Sequence, residues 1–350
     1  MNTHNLTQPL QVALIGFGAA GRIFHAPLLA AVPGLQLACI CSRQTEQALA
    51  AWPNVRVLAS AQQVFDDPQI DVVVIATPNA SHYPLALAAL QAGKQVVIDK
   101  PCCVTLAQAE HLLQVARAQT KVLTVFQNRR LDSDILALQA VIASGKLGRL
   151  VHVESHFDRY RPQLPNRWRE QNLPGSGLWF DLGAHLVDQT LLLFGVPDDR
   201  QLHTACQREG ALTNDWFHAV LNYESRHPGL RVVLHASTLV PELGPRWIVH
   251  GTQGSFIKYG LDSQEDALKA GRSPNLADLQ DWGQDSNPGQ ILHYAAMAGV
   301  QEPVAVRQAA PNLAGSYWQY YANLRDHIRG LAPLMVTPEQ VLAVMRLLTL

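Results

Sequence analysis

Residues 11–21 read Gln-Val-Ala-Leu-Ile-Gly-Phe-Gly-Ala-Ala-Gly. The apolar run Val12–Ile15 has the length of a buried strand, and Arg22 to Ala31 has helical character. Between them Gly16, Gly18 and Gly21 form G-x-G-x-x-G, with Phe17 after the first glycine. The first glycine permits a tight turn. The second lets backbone approach a pyrophosphate, and the third lets helix pack on strand. The helix start then favours phosphate charge. The spacing predicts a dinucleotide site at the start of a strand–turn–helix unit.

Outward from this unit the pattern repeats. Strands are predicted at Leu35–Cys41, Asp71–Ala76, Gln95–Asp99 and Val122–Phe126, with helices at Gln44–Ala51, His82–Ala92 and Thr105–Ala118. Apolar strands alternating with helices imply a doubly wound parallel sheet, the α/β Rossmann arrangement. Ligands of such sheets bind beyond the carboxyl ends of the strands. The polar residues at those ends are Ser42, Arg43, Thr77, Asn79, Lys100 and Asn128, with Pro78 and His82 beside Asn79. The second strand ends Cys41-Ser42-Arg43, and the nearest acid, Glu46, lies inside the next helix. A hydroxyl and a guanidinium suit a 2′-phosphate better than a bare ribose, so NADP is preferred over NAD. The alternative is that Arg43 only stacks on adenine. Lys100, between Asp99 and Pro101 at a strand end, is expected to face substrate.

The rest of the chain changes character. The 350 residues suit two domains, placed at 1–130 and 131–350, with the final helix free to pack back on the first. After a linking helix over 132–144, strands are predicted at Leu150–Asp158, Trp216–Tyr223, Arg231–Thr238, Trp247–His250 and Ser255–Tyr259. Strands without intervening helices imply an antiparallel sheet of α+β character. His152, Glu154 and His156 alternate along the first of them and read as one polar face of a sheet rather than as metal ligands. Residues 262–275 look helical, 276–300 polar and irregular, and the aromatic helix Ser316–Arg329 reads as packing. A last helix starts at Thr337-Pro338.

Composition narrows the partners. A net charge of -1 without a polybasic run gives no footprint for nucleic acid or an anionic membrane. Five cysteines without framework spacing fit a reducing compartment. The first ten residues lack a signal-peptide pattern and no apolar run spans a membrane, so a cytoplasmic protein is expected.

One further stretch stands out: Gly175-Ser-Gly-Leu-Trp-Phe-Asp-Leu-Gly-Ala-His-Leu-Val-Asp188. Counted as an α-helix, Asp181, His185 and Asp188 share a face of an apolar segment. Three readings compete: a solvated face, a metal site, or a catalytic acid/base with His185 oriented by a carboxylate one turn away. No further His, Cys or Glu lies within a turn, so no metal is expected there.

Together these motifs resemble the Gfo/Idh/MocA oxidoreductases over nearly the whole chain: Gly16-x-Gly18-x-x-Gly21, Thr77-Pro78-Asn79 with His82, Lys100-Pro101, Asn128-Arg129-Arg130, and Asp181-x-Gly183-x-His185 after Gly175-x-Gly177. His156 to Pro162 and Arg167-Trp-Arg-Glu170 are similar to the branch containing NADP-dependent scyllo-inositol dehydrogenases. The resemblance implies a Rossmann domain plus an open, mostly antiparallel sheet, often dimerising through that sheet, as a homodimer or dimer of dimers. It implies hydride transfer between NAD(P) and a secondary alcohol of a polyol or sugar, with Lys100, Asp181 and His185 meeting the hydroxyl. Whether His185 or Lys100 is the base stays open. Two departures are Asp99, where the family commonly has Glu, and the usual further segment after the final helix. Relatives of this fold also include non-catalytic cofactor-bound sensors and cofactor-assisted glycosidases. The three polar residues together argue against a sensor, which needs no proton relay.

Overall fold

The computed structural model describes residues 8–295 and 302–349. The signal-peptide reading of the first residues falls largely outside this range, as do residues 296–300 of the irregular segment. The chain divides into two compact units. The first comprises residues up to Asn128, Gln264–Trp282 and Ser316–Thr349, and the second Arg129–Ser263 and Gly283–Gly315.

In the first unit β1 (Leu10–Ile15) enters the glycine turn, followed by a π-helical turn (Gly21–His25) and α1 (Ala26–Ala31). Then come β2 (Leu35–Cys41), α2 (Thr45–Ala51), β3 (Arg56–Leu58), α3 (Ala61–Asp66), β4 (Val72–Ile75), α4 (His82–Gln91), β5 (Gln95–Asp99), α5 (Leu106–Ala118) and β6 (Leu123–Phe126). The strands are parallel in the order β3-β2-β1-β4-β5-β6, the Rossmann arrangement. β4 reads Val-Val-Val-Ile and is wholly buried, as a strand covered on both faces should be. The order reverses beside β1, between β2 and β4, so the ends of these strands frame the crevice where such sheets bind ligands. β3 and α3 add to the expected elements; β3 is a three-residue, partly exposed edge with little apolar pattern.

The second unit contains α6 (Ser133–Ala143), β7 (Leu150–His156), α7 (Ala184–Phe194), β8 (Asp199–Ala205), β9 (Trp216–Asn222), β10 (Arg231–Ser237), β11 (Trp247–Gly251) and β12 (Gly254–Lys258). The chain then returns to the first unit for α8 (Gln264–Lys269), and to the second for β13 (Gln290–Ala295) and β14 (Val304–Ala309). The eight strands run β14-β13-β12-β11-β7-β10-β9-β8, antiparallel except where β7 meets β10. Along β9 burial alternates strictly, so one sheet face is core and the other open. Phe217, Ala219 and Leu221 point inward, with Phe217 edge-on to Trp179 at 5.0 Å. β13 corrects the irregular reading of its residues, and helix α8 is shorter than expected.

α9 (Trp318–Ile328) and α10 (Pro338–Thr349) belong to the first unit. The reason is apolar area. Phe126 of β6 stacks on Tyr321 at 5.5 Å and meets Tyr320 edge-on at 5.0 Å. Thr124 donates to the Val336 carbonyl at 3.0 Å. α10 buries Val341, Val344, Met345 and Leu348. Among the described residues no helix is long and apolar enough to cross a membrane.

Candidate active site

The first unit gathers Gly16, Ser42, Thr77, Lys100 and Asn128 at the carboxyl ends of its parallel strands. Gly16 has φ 101°, and a Cβ there would sit 2.4 Å from the Ala76 carbonyl oxygen. A Cβ on Gly21 would lie 2.1 Å from the Gly16 oxygen, so both glycines are required by close packing. Gly18 differs: it is exposed, and a Cβ there meets nothing within 4 Å. The open space lies where a pyrophosphate would approach the backbone, and the residues present therefore fit a dinucleotide. Phe17 is buried in the core.

At the end of β2 the Ser42 hydroxyl accepts from the Gln44 amide at 3.0 Å, which shapes the turn and leaves Arg43 exposed. Beyond β4, Thr77 is half-buried, Pro78 exposed and Asn79 buried. His82 lies behind this loop. Its Nε2 is 2.8 Å from the Thr77 carbonyl and its Nδ1 2.9 Å from that of Pro101. Both nitrogens therefore face the protein, tying the ends of β4 and β5 together. The Asp99 carboxylate accepts from the Lys100 amide at 2.8 Å, and His25 Nε2 lies 3.7 Å from it. His25 in turn meets the Tyr321 hydroxyl at 2.6 Å. Burial works to raise the Asp99 carboxyl. The nearby His25 ring, together with Lys100 and His82, overcomes this and holds it below the ordinary range. Burial pushes the Tyr321 phenol well up. The buried chain Tyr321–His25–Asp99 thus fixes the turn that presents Lys100. No sequence signal joins His25 to Tyr321, 296 positions apart.

In the second unit Gly175 and Gly177 adopt φ 76° and 86°. A Cβ on Gly177 would strike Asn214 at 2.6 Å. Asn214 accepts from the Trp179 amide through its side chain and from the Leu178 amide through its carbonyl, both at 2.8 Å. It caps the helical stretch, and local sequence does not reveal it. The first turn, Trp179–Gly183, is π-helical, and α7 follows. A π turn inside a helix is common at functional sites. Gly183 is needed because a Cβ would lie 2.5 Å from the Trp179 indole.

The polar stripe divides. Asp181 lies in the π turn, lining a pocket with Arg169, Glu170, Arg208 and Asn214. Its carboxylate is 3.4 Å from Arg169 Nε. His185, one turn later, is buried at 6% exposure. Asp188 accepts two bonds from Arg130, Nε at 2.8 Å and Nη2 at 2.6 Å, and both side chains are nearly inaccessible. Gln189 bonds the Arg129 carbonyl at 2.7 Å and accepts from Arg246 at 2.6 Å. The second half of Asn128-Arg129-Arg130 therefore anchors α7. Asn128 itself is buried at the end of β6. Around the pocket, Arg167 pairs with Glu170 at 2.6 Å, and Arg208 with Glu170 at 2.6 Å and Asp215 at 2.9 Å. These arginines neutralise loop acids.

Residues 10–127 match the model of the oxidoreductase family with an NAD-binding Rossmann fold, and residues 139–350 match its C-terminal alpha/beta domain. The chain belongs to the Gfo/Idh/MocA family. As a Gfo/Idh/MocA protein it is an NAD(P)-dependent oxidoreductase. It is 45% identical to the uncharacterized oxidoreductase YdgJ of Escherichia coli (strain K12), covering 99% of this chain and 96% of that one. It is 36% identical to scyllo-inositol 2-dehydrogenase (NADP(+)) IolW of Bacillus subtilis (strain 168), covering 97% and 92%. The solved Yersinia pestis structure YPO2259 superposes with a TM-score of 0.90 at 46% identity, over 97% and 93% of the two chains. The Gfo/Idh/MocA assignment also accounts for the one Rossmann sheet and the one mostly antiparallel sheet.

Proposed function

We propose that this protein transfers hydride between NADP(H) and a secondary alcohol of a cyclitol or sugar, a scyllo-inositol-like polyol. The observation that carries the proposal is a buried histidine, His185, one turn after a carboxylate, Asp181, that lines a polar pocket. Likeness to the NADP-dependent inositol dehydrogenase supports the substrate class. When bound, the nicotinamide supplies the hydride acceptor. A secondary alcohol is too weak an acid to lose its proton unaided near neutral pH. His185 takes that proton as general base. Asp181, held by Arg169, orients the hydroxyl and stabilises the charged imidazole. Lys100, as an ammonium, stabilises the developing alkoxide with a charge-assisted hydrogen bond. The test is a cofactor-reduction screen with NADP+ and NAD+ separately, against inositols, aldoses and sugar acids. Reduction with inositols is the expected result. Tight cofactor binding with no turnover across the panel would instead make the protein a sensor.

The cofactor preference has its own test. Exposed Arg43 beside Ser42 is proposed to hold the 2′-phosphate. Arg43→Ala is then expected to raise KM for NADPH about ten- to a hundredfold, the loss of one charge-assisted contact, and to leave NADH little changed. Equal effects on the two cofactors in steady-state assays would show that Arg43 does not read the phosphate.

A further inference from the structure

The open face of the second unit's sheet carries a row of histidines. Register places His203 opposite His218, His218 opposite His235, and His235 beside His156. Asp158 follows β7 by two residues and joins this row. We propose that His156, Asp158 and His235 form a binding site for a first-row divalent metal ion of the zinc type, distinct from the dehydrogenase site.

The spacing is the first argument. His156 Nδ1 lies 3.5 Å from Asp158 Oδ2, and His235 Nε2 lies 3.5 Å from Asp158 Oδ1. All three ligand atoms fall within 4.8 Å of one another. A separation of 3.5 Å exceeds the range of a good N–H···O bond, about 2.7–3.2 Å. It is the separation of two atoms that share one ion at bonds of about 2.0–2.2 Å. Two imidazoles and a carboxylate are a ligand set that zinc and its neighbours accept.

The supporting shell is the second argument. Glu154 Oε2 is 2.7 Å from His156 Nε2, and in the neutral tautomer that donates there Nδ1 turns its lone pair toward Asp158. The other Glu154 oxygen is 2.7 Å from His152 Nε2, so the carboxylate is held from both sides. The Ser237 amide donates to Asp158 Oδ1 at 2.9 Å. Outer partners of this kind fix the tautomer and direction of metal ligands. Two ligands stand on β-strands and the third on the adjoining residues, giving a rigid frame. Side-chain exposures in the single chain are 22%, 11% and 17% for His156, Asp158 and His235, so an ion can reach all three. Sequence alone shows only the alternation of His152, Glu154 and His156. It is the parallel pairing of β7 with β10 that brings in His235. The competing account is a set of histidine–carboxylate pairs without an ion.

The test titrates Co2+ into untagged, chelator-stripped protein and follows ligand-field absorption in the visible. One bound equivalent is expected, displaced by Zn2+. His235→Gln and Asp158→Asn are each expected to weaken binding more than tenfold, Glu154→Gln about tenfold, and His250→Gln not at all. Retained NADPH fluorescence binding would show that the variants are folded. Absence of the absorption band in the unaltered protein would overturn the site. So would a band that persists in both His235→Gln and Asp158→Asn, or one lost in His250→Gln.

Discussion

His185→Ala is expected to lower kcat for polyol oxidation by about 10²- to 10⁴-fold, the usual contribution of a positioned general base. KM and cofactor binding should change little, because the proton transfer is made in the transition state. The side chain is 6% exposed and sits on α7, whose orientation is fixed by the Arg130–Asp188 bond and the Gln189–Arg129 bond. Alanine removes the imidazole without disturbing either anchor. Steady-state kinetics with NADP+ and an inositol would check this. Near-full turnover would exclude His185 as the base and leave Lys100. Lys100→Met run in parallel separates the two, since loss of the ammonium alone removes alkoxide stabilisation but not the proton acceptor.

Asp188→Ala should be the more damaging change for the fold, although it touches no reacting group. The Arg130–Asp188 pair is bidentate at 2.6–2.8 Å and has side-chain exposures of 3% and 2%. Truncating one partner leaves a guanidinium buried beside α7 without its counter-charge. Breaking such a pair costs about 3–5 kcal/mol. For a unit of this size that corresponds to a fall in Tm of roughly 10 °C. The double variant Arg130→Met/Asp188→Leu should recover much of the loss, because no charge is then stranded. Thermal melts of the two proteins decide the matter. A shift below about 1 kcal/mol for Asp188→Ala would mean that water or another group compensates Arg130.

Much of the first unit is legible in the sequence for a simple reason. Strands such as Val72–Ile75 are buried on both faces, so their residues are uniformly apolar and β-branched. Gly16 and Gly21 are legible because each meets backbone that tolerates no Cβ, and Gly18 because the space beside it must stay open. The edges are not. Asp199–Ala205 and Val304–Ala309 are largely exposed strands whose pairing partners, rather than their own side chains, make them strands. Lys100, Asp181 and His185 could be picked out by motif. Their partners could not: Arg169 for Asp181, and Tyr321 through His25 for Asp99, depend on where a loop or a distant helix returns. An α-helical count places Asp181 and Asp188 on a single stripe, and the π turn and Arg130 give them different surroundings.

The return of α9 and α10 to the first unit has a consequence for how the protein comes into being. The sheet that carries the glycine turn is complete by Phe126, yet aromatic side chains from residues 318–328 are what close over β6. A nascent chain leaving the ribosome has all six parallel strands long before it has that cover. Until the last helices emerge, Phe126 and its neighbours present apolar surface to water, the condition under which partly made chains aggregate or engage chaperones. Maturation of the nucleotide-binding half therefore waits on the synthesis of residues 318–349.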